Sequence, residues 1–193
     1  MATVTLWFDP ACYWSWRASR WLLDAQSQRG FRVAFRPFSL KVLYGEGMNA
    51  DWAEMLGTSH QMLRIVAALN ADGHTEQVTA FWKAIGTAAH EQGQQLTREL
   101  AETCAKSAGA DQYLAAFDDS SFDASIDETT AYAISSAGPD IGTPVIEFPG
   151  GARGIQGPVL AEVPPAEEAG ELYDAISRLA AAPYFYEVTR GRS

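Results

Sequence analysis

Hydrophobic and polar residues alternate in two short segments near the start of the chain, and a helical pattern lies between them. Residues 3–8 alternate and are rich in Val, Leu, Trp and Phe, which predicts a strand. From 13 to about 28, apolar residues recur at helical spacing, and Gly30 stands where such a helix would end. Residues 31–40 alternate again and predict a second strand. Because a helix connects them, the two strands should lie parallel in one sheet.

The pattern becomes wholly helical between residues 49 and 137, and no part of this stretch resembles a strand. Asn49 or Asp51 can cap the first helix. We expect this helix to break at Gly57 and to end at Gly73. Further helices are predicted at 75–91, 97–109, 111–117 and 123–137. The segment is therefore predicted to form an all-helical block.

Strand signals return after Gly138. Residues 144–148 are rich in strand formers, a Pro-Gly-Gly turn follows, and residues 152–155 provide a hairpin partner. An amphipathic helix is predicted at 167–182. The chain is thus predicted to be an α/β protein with an all-helical insertion. We assign residues 1–48 and 138–193 to the sheet domain and residues 49–137 to the insertion.

Composition and charge exclude several classes of function. The 193 residues are 47% hydrophobic, enough for a core, and carry 14 basic against 24 acidic side chains, a net charge of -10. A phosphate backbone would be repelled, so nucleic acid is not an expected partner. No apolar run approaches the roughly 18 residues of a membrane span, and the first residues lack the features of a signal peptide. We expect a cytoplasmic protein with no membrane partner.

Cys12 is the candidate nucleophile. It follows the first predicted strand and stands where the first helix begins. Unpaired backbone amides and the helix dipole favour negative charge at that place, so the thiol is biased toward the reactive thiolate. A buried, inert cysteine is the structural alternative. Cys104 fits that alternative, because it lies on the apolar stripe of a predicted helix.

Ser15 occupies the place of the second cysteine in a redox C-x-x-C motif. A resolving thiol there would attack a mixed disulfide and release the substrate, which serine cannot do. We expect the serine hydroxyl to donate a hydrogen bond to the Cys12 thiolate. Cys12 must then either wait for an external thiol or perform chemistry without net redox. Serine here is a native catalytic residue, an ordinary helix residue, or an engineered substitution that traps an intermediate.

Aromatic residues and one histidine complete the candidate site. Trp14, in the first helical turn, can stack on a flat substrate or belong to the core. Tyr13 and Tyr44 are further candidate residues for binding substrate or cofactor. His90, at the end of a predicted helix, can reach the site from the insertion or simply complement the helix C-terminus. The spacing of the three histidines fits no metal motif, so no metal site is predicted.

Several stretches along the chain together carry a resemblance. They are Phe-Asp-Pro-Ala-Cys-Tyr-Trp-Ser-Trp (8–16), Ser-Arg-Trp (19–21), Ile-Gly-Thr-Pro (141–144), Gly-Pro-Val-Leu (157–160) and Pro-Tyr-Phe-Tyr-Glu (183–187). They resemble the DsbA-like branch of the thioredoxin superfamily, and within it the actinobacterial mycothiol-dependent nitroreductases. The resemblance implies a thioredoxin-like fold with a helical insertion, a nucleophilic Cys12 and a cis Pro144 facing it. The backbone of Thr143 would then pair with a substrate or thiol cofactor.

The resemblance also implies partners. Mycothiol or another low-molecular-weight thiol is the expected co-substrate, with no tightly bound cofactor, a small-molecule or disulfide substrate, and a homodimer as an open alternative. The chain departs from the family pattern at Ser15, where cysteine is usual, and at Tyr13, where proline is usual. We therefore expect a monothiol oxidoreductase. The alternatives are a thiol-cofactor-dependent isomerase or transferase, similar to 2-hydroxychromene-2-carboxylate isomerases and kappa-class glutathione transferases, and a non-enzymatic binding protein of thioredoxin fold.

Overall fold

Two parallel strands and their helical crossover open the fold, in a computed structural model that describes residues 1–151 and 153–191. β1 (Thr3–Phe8) pairs with β2 (Arg32–Pro37) along its full length. α1 (Tyr13–Arg29) connects the two strands and begins at the N-cap residue Cys12. It ends at Gly30, whose φ of 65° lies in the left-handed region that glycine adopts freely. The predicted parallel pairing is confirmed.

Two short antiparallel strands complete the sheet, whose order is β2-β1-β3-β4 within the described residues. β3 (Val145–Glu147) pairs with β1, and β4 (Ile155–Gln156) pairs with β3. The sequence predicts the second hairpin strand at 152–155, whereas the observed strand starts later. Part of that prediction, and of the assigned sheet domain, falls on residues outside the described ranges, namely Ala152, Arg192 and Ser193.

Between β2 and β3 the described chain is helical. Its elements are α2 (Leu40–Tyr44), α3 (Ala50–Ala71), α4 (Thr75–Gly86), a π-helical turn (Thr87–Glu91), α5 (Arg98–Ser107), two 3₁₀ segments (Asp111–Asp118 and Ser120–Phe122) and α6 (Asp123–Ala137). The predicted α/β class is confirmed. The domain boundaries placed after residues 48 and 137 stay a prediction. No helix within residues 1–151 and 153–191 is long and apolar enough to cross a bilayer.

Other elements also differ from their predictions. α3 runs unbroken through Gly57, because burial of the helix's apolar face outweighs the cost of about 1 kcal/mol for an interior glycine. β2 ends at Pro37, short of the predicted bound, because proline cannot donate to a sheet ladder. Ser39 then starts the unpredicted α2 by accepting the N–H of Val42 at 3.3 Å. The helix predicted at 75–91 changes to π-helical geometry over its last turn.

One buried core joins the sheet to the insertion. The ring of Trp82, on α4, has its centroid 4.4 Å from that of Phe8 in β1 and 5.5 Å from that of Trp16 in α1. All three side chains are buried. α7 (Ala169–Ala180), somewhat shorter than predicted, also packs against α1. The insertion therefore packs directly over the first turns of α1.

We predict that Gly86→Ala destabilises the fold, because a Cβ at position 86 would lie 2.0 Å from the ring of Trp16. The ring must shift, which lowers the free energy of unfolding by about 1–3 kcal/mol. Gly57→Ala is the matched control: position 57 also lies inside a helix, but its Cβ would meet nothing within 4 Å. That control should gain about 0.5–1 kcal/mol. Urea unfolding measures both variants, and equal effects would contradict this packing.

Candidate active site

Cys12 lies between β1 and α1, in a tight turn that we call the thiol turn (residues 9–12). The N–H of Cys12 donates to the carbonyl of Asp9 at 2.9 Å and closes the turn. Its φ and ψ of -88° and 108° are those of an N-cap residue. Cys12 is 8% exposed, so a small part of it faces solvent. The apolar cluster around it also contains Trp7, Phe38, Leu40, Leu56, Ala133 and Val145.

Two backbone groups contact the sulfur of Cys12. The N–H of Ser15 donates to Sγ at 3.4 Å. On the other side, Sγ lies 3.5 Å from the carbonyl oxygen of Thr143, to which the thiol donates. The Ser15 N–H is one of the unpaired amides of the first helical turn, and such an amide stabilises negative charge on the atom that it contacts.

The hydroxyl of Ser15 does not make its predicted contact. Ser15 is fully buried, and its Oγ has no hydrogen-bond partner in the described part of the chain. The predicted bond from this hydroxyl to Cys12 is therefore wrong, and the backbone amide of Ser15 makes the contact instead. N-cap geometry explains why the amide of Ser15, and not its hydroxyl, contacts the sulfur: the side chain of an N-cap residue faces the backbone N–H three residues further on.

The loop before β3 covers the sulfur from the side opposite α1. The Thr143–Pro144 peptide bond is cis, and both residues are buried. β3 begins directly after Pro144 and pairs with β1, which brings Thr143 to Cys12 across 131 positions of sequence. The carbonyl of Thr143 accepts the hydrogen bond from the Cys12 thiol. The Oγ1 of Thr143 has no hydrogen-bond partner among the residues described.

Asp9 belongs to the site although the sequence pattern marks it only as the residue that ends a strand. Its carboxylate accepts the N–H of Ala11 at 2.8 Å, the N–H of Leu40 at 2.7 Å and the hydroxyl of Ser59. Burial raises the pKa of Asp9 to about 6, although these three hydrogen bonds lower it. The carboxyl thus joins the thiol turn to α2 and α3.

His90 reaches the thiol turn from the insertion. The π-helical turn carries it, and its Nε2 donates to the carbonyl of Pro10 at 2.9 Å. Burial lowers the pKa of His90, which favours the neutral imidazole. Glu91, the next residue, accepts from the indole of Trp16 at 3.3 Å and from Arg20 at 2.7 Å. π-Helical turns are frequent at functional sites, and this one fastens the insertion to both the thiol turn and α1.

Tyr13 and Trp14 lie together in the first turn of α1, and Arg17 organises them. The Arg17 guanidinium carbon lies 4.0 Å from the ring centroid of Tyr13 and 5.5 Å from that of Trp14. It also donates to the Tyr13 hydroxyl and, at 2.9 Å, to the carbonyl of Leu160. Tyr13 is 39% exposed, and its ring centroid is 5.7 Å from that of His90. These side chains form a partly exposed aromatic surface.

Tyr44, at the end of α2, contacts Trp52 of α3, and the two ring centroids are 6.3 Å apart. Both side chains line a surface cavity of about 370 Å³, together with Glu46, Gly47, Met48 and Asn49. Met48 also packs against the apolar cluster that contains Cys12. None of the described contacts brings Tyr44 itself to the thiol turn, so its predicted part in the site stays a prediction.

The second cysteine lies in the core, as predicted. Cys104, on α5, is 3% exposed, and burial raises its pKa to about 11. Both cysteines are free thiols. Across residues 1–151 and 153–191, no group of three or more His, Cys, Asp or Glu side chains is arranged to hold a metal ion.

The comparison with protein families decides the classification. Residues 11–190 match the Rv2466c-like family, described as mycothiol-dependent nitroreductase Rv2466c. The chain belongs to this family. As an Rv2466c-like protein it is an enzyme of the thiol-oxidoreductase type, and the family implies a low-molecular-weight thiol as co-substrate. The resemblance drawn from the sequence motifs is confirmed.

Individual proteins are also similar to this Rv2466c-like chain. The uncharacterized protein Rv2286c of Mycobacterium tuberculosis (strain ATCC 25618 / H37Rv) is 26% identical over 199 residues, which cover 100% of this chain and 84% of that protein. The cytosolic disulfide reductase DsbM from Pseudomonas aeruginosa has a TM-score of 0.57 at 17% identity, covering 92% of this chain and 100% of its own.

Two further solved structures share the fold. Oxidoreductase DsbA from Xylella fastidiosa has a TM-score of 0.57 at 19% identity and covers 94% of this chain and 87% of its own. A 2-hydroxychromene-2-carboxylate isomerase has a TM-score of 0.61 at 16% identity, with coverage of 92% and 95%. At such identities the structures show the fold alone, and they confirm the predicted DsbA-like, thioredoxin-like architecture.

We predict that Ser15→Ala changes the free energy of unfolding by less than about 1 kcal/mol, because the hydroxyl that it removes makes no hydrogen bond in the described structure. Ser39→Ala is the matched control. Its hydroxyl lies 2.8 Å from Nδ1 of His60 and caps α2, so its loss should cost about 1–2 kcal/mol. Thermal or urea unfolding compares the two variants. A larger loss for Ser15→Ala than for Ser39→Ala would contradict the described environment of Ser15.

Proposed function

We propose that this protein is a monothiol oxidoreductase in which Cys12 exchanges mycothiol between disulfides. The observation that carries the proposal is the environment of one sulfur. Cys12 Sγ stands at the N-terminus of α1 and accepts the N–H of Ser15 at 3.4 Å, and position 15 carries no second thiol. Family membership supports mycothiol as the thiol, and a mycothiol-dependent reaction is expected to take place in the cytoplasm.

The reaction consists of two exchanges. In the first, the Cys12 thiolate attacks the mycothiol sulfur of a mixed disulfide between mycothiol and a substrate thiol; that S–S bond breaks, and the substrate leaves as a thiolate that takes up a proton. In the second, the thiolate of another mycothiol attacks the mycothiol sulfur held by Cys12 and releases the Cys12 thiolate. The sum converts the mixed disulfide and one mycothiol into the free substrate thiol and mycothiol disulfide.

The groups around Sγ suit both steps. The Ser15 N–H and the N-terminus of α1 stabilise negative charge on the sulfur when it attacks and when it leaves. The carbonyl of Thr143 accepts a hydrogen bond from the sulfur while Cys12 is a thiol. Because serine cannot attack the adduct, Cys12 keeps its mycothiol until an external thiol arrives.

The neighbouring side chains supply binding surfaces in this proposal. Tyr13 and Trp14 present an aromatic surface to the substrate, and His90 supports it by holding the thiol turn and the Tyr13 ring. The cavity beside Tyr44 is assigned to the polar part of the thiol co-substrate, because Met48 in its lining packs against the apolar cluster that contains Cys12. The buried Thr143 and Pro144 close the site on the side of β3.

An isomerase or transferase without net redox is the second candidate. Serine at position 15 favours it, because such chemistry requires a thiol cofactor but no resolving cysteine. The fold is compatible, since a 2-hydroxychromene-2-carboxylate isomerase and a DsbM structure with GSH both share it. In this case the thiol cofactor would bind without forming a disulfide to Cys12.

We predict that incubation with mycothiol disulfide adds one mycothiol to the protein as a disulfide on Cys12. Intact mass spectrometry measures the addition, and peptide mapping locates it. Cys12→Ser should abolish the adduct. Cys104→Ser is the matched control and should retain it, because Cys104 is buried in the core and its pKa is raised to about 11.

Three results would count against the proposal. Tight binding of mycothiol without any covalent adduct would favour the isomerase or transferase. An adduct on Cys104, or neither adduct nor binding, would remove the proposed role of Cys12 altogether.

A further inference from the structure

Asp9 is the first residue of the thiol turn, and its carboxyl contacts the turn itself, α2 and α3. Oδ1 accepts the N–H of Ala11 at 2.8 Å within the turn and also accepts the hydroxyl of Ser59 from α3. Oδ2 accepts the N–H of Leu40 at 2.7 Å, at the start of α2. The main-chain oxygen of Asp9 receives the N–H of Cys12 at 2.9 Å. The turn that carries the nucleophile is therefore built on this one residue.

The contacts of Asp9 fit an ionised carboxylate. Asp9 is 0% exposed, and an ionised group is costly at such a place unless donors surround it. Two of its donors are backbone N–H groups, which cannot accept a hydrogen bond in return. A protonated carboxyl would turn one of its oxygens into a donor and weaken this set of contacts. The arrangement therefore holds the turn best when Asp9 carries its charge.

We infer that Asp9 is a positioning residue for Cys12: its carboxylate fixes the thiol turn and ties it to α2 and α3, so that the sulfur keeps its place at the N-terminus of α1. The inference deepens the proposed function and rests on Cys12 being the nucleophile. Asp9 acts through the turn and does not touch the reacting atoms.

This role has a pH dependence. Burial raises the pKa of Asp9 to about 6, so the carboxylate that holds the turn is lost as the pH falls through that value. Burial also lowers the pKa of His60 and of His90. Because other groups therefore titrate as well, the effect of Asp9 is measured as a difference between proteins. Titratable groups on the elements packed around Asp9 include Lys41 on α2, His60 and Arg64 on α3, Asp123 on α6, and His90 on the π-helical turn.

The test is the rate at which iodoacetamide alkylates Cys12, located by peptide mapping, from about pH 4 to about pH 8. Wild type is compared with Asp9→Asn, which keeps the shape of the side chain but stays neutral. Ser59→Ala removes one donor to the carboxylate. Asp127→Asn, on an exposed part of α6, is the matched control for loss of a carboxylate.

We expect the ratio of the wild-type rate to the Asp9→Asn rate to be near one at low pH and to rise through about pH 6 to about tenfold, the equivalent of one charge-assisted hydrogen bond. Asp127→Asn should follow wild type throughout. In Ser59→Ala the rise should move to higher pH, because the Ser59 hydrogen bond lowers the pKa of Asp9. If the Ser59 hydroxyl only supported the fold, its removal would not change the pH at which the ratio rises.

A ratio that is constant with pH overturns the inference, and so does a ratio that falls as pH rises, which is the sign expected of a carboxylate that only repels the thiolate. Should Asp9→Asn fail to fold, the ratio of the wild-type rate to the Ser59→Ala rate decides. It should rise above one near pH 6, where more of the carboxyl is ionised in wild type than in Ser59→Ala, and a ratio that does not change with pH overturns the inference. The assay needs no mycothiol. If the ratio of alkylation rates rises with pH but mycothiol disulfide forms no adduct on Cys12, only the proposed function is wrong. If the adduct forms but the ratio does not change with pH, only the role of Asp9 is wrong.

Discussion

The sulfur of Cys12 is held between two backbone groups that come from distant parts of the chain. The N–H of Ser15 lies 3.4 Å from Sγ on one side, and the carbonyl of Thr143 lies 3.5 Å away on the other. This arrangement depends on β1 being an inner strand, parallel to β2 and antiparallel to β3. A change of register between β1 and β3 would separate the two groups, so the sheet itself fixes the chemistry of the sulfur.

The helical insertion contributes to the same site and does not only cover the core. Its π-helical turn aims His90 at the carbonyl of Pro10 and Glu91 at Trp16 and Arg20. Gly86, just before that turn, leaves the space that the Trp16 ring fills. The insertion thus contacts the first turns of α1, while the carboxylate of Asp9 accepts hydrogen bonds inside the thiol turn and from the start of α2. Both sets of contacts keep the N-terminus of α1 aligned with the sulfur.

Local forces made part of this predictable from sequence. The place of Cys12 at a helix start and the full extent of α6 (Asp123–Ala137) followed from capping and periodicity, which involve neighbours in the chain. Asp9 did not, because an acidic residue after a strand has the pattern of any turn. Its meaning comes from Leu40 and Ser59, which only tertiary packing brings to it. The π-helical turn was not predicted either, because its apolar spacing in the sequence is that of an ordinary helix.

The central claim is that Cys12 works without a neighbouring thiol, and the lifetime of its mycothiol adduct tests this most directly. The adduct is prepared on wild type and on Ser15→Cys, freed of small thiols, and followed by intact mass. Wild type should keep its mycothiol until a thiol is added, whereas Ser15→Cys should expel it and form a disulfide between positions 12 and 15. Release of mycothiol from wild type at the same rate as from Ser15→Cys would contradict the account.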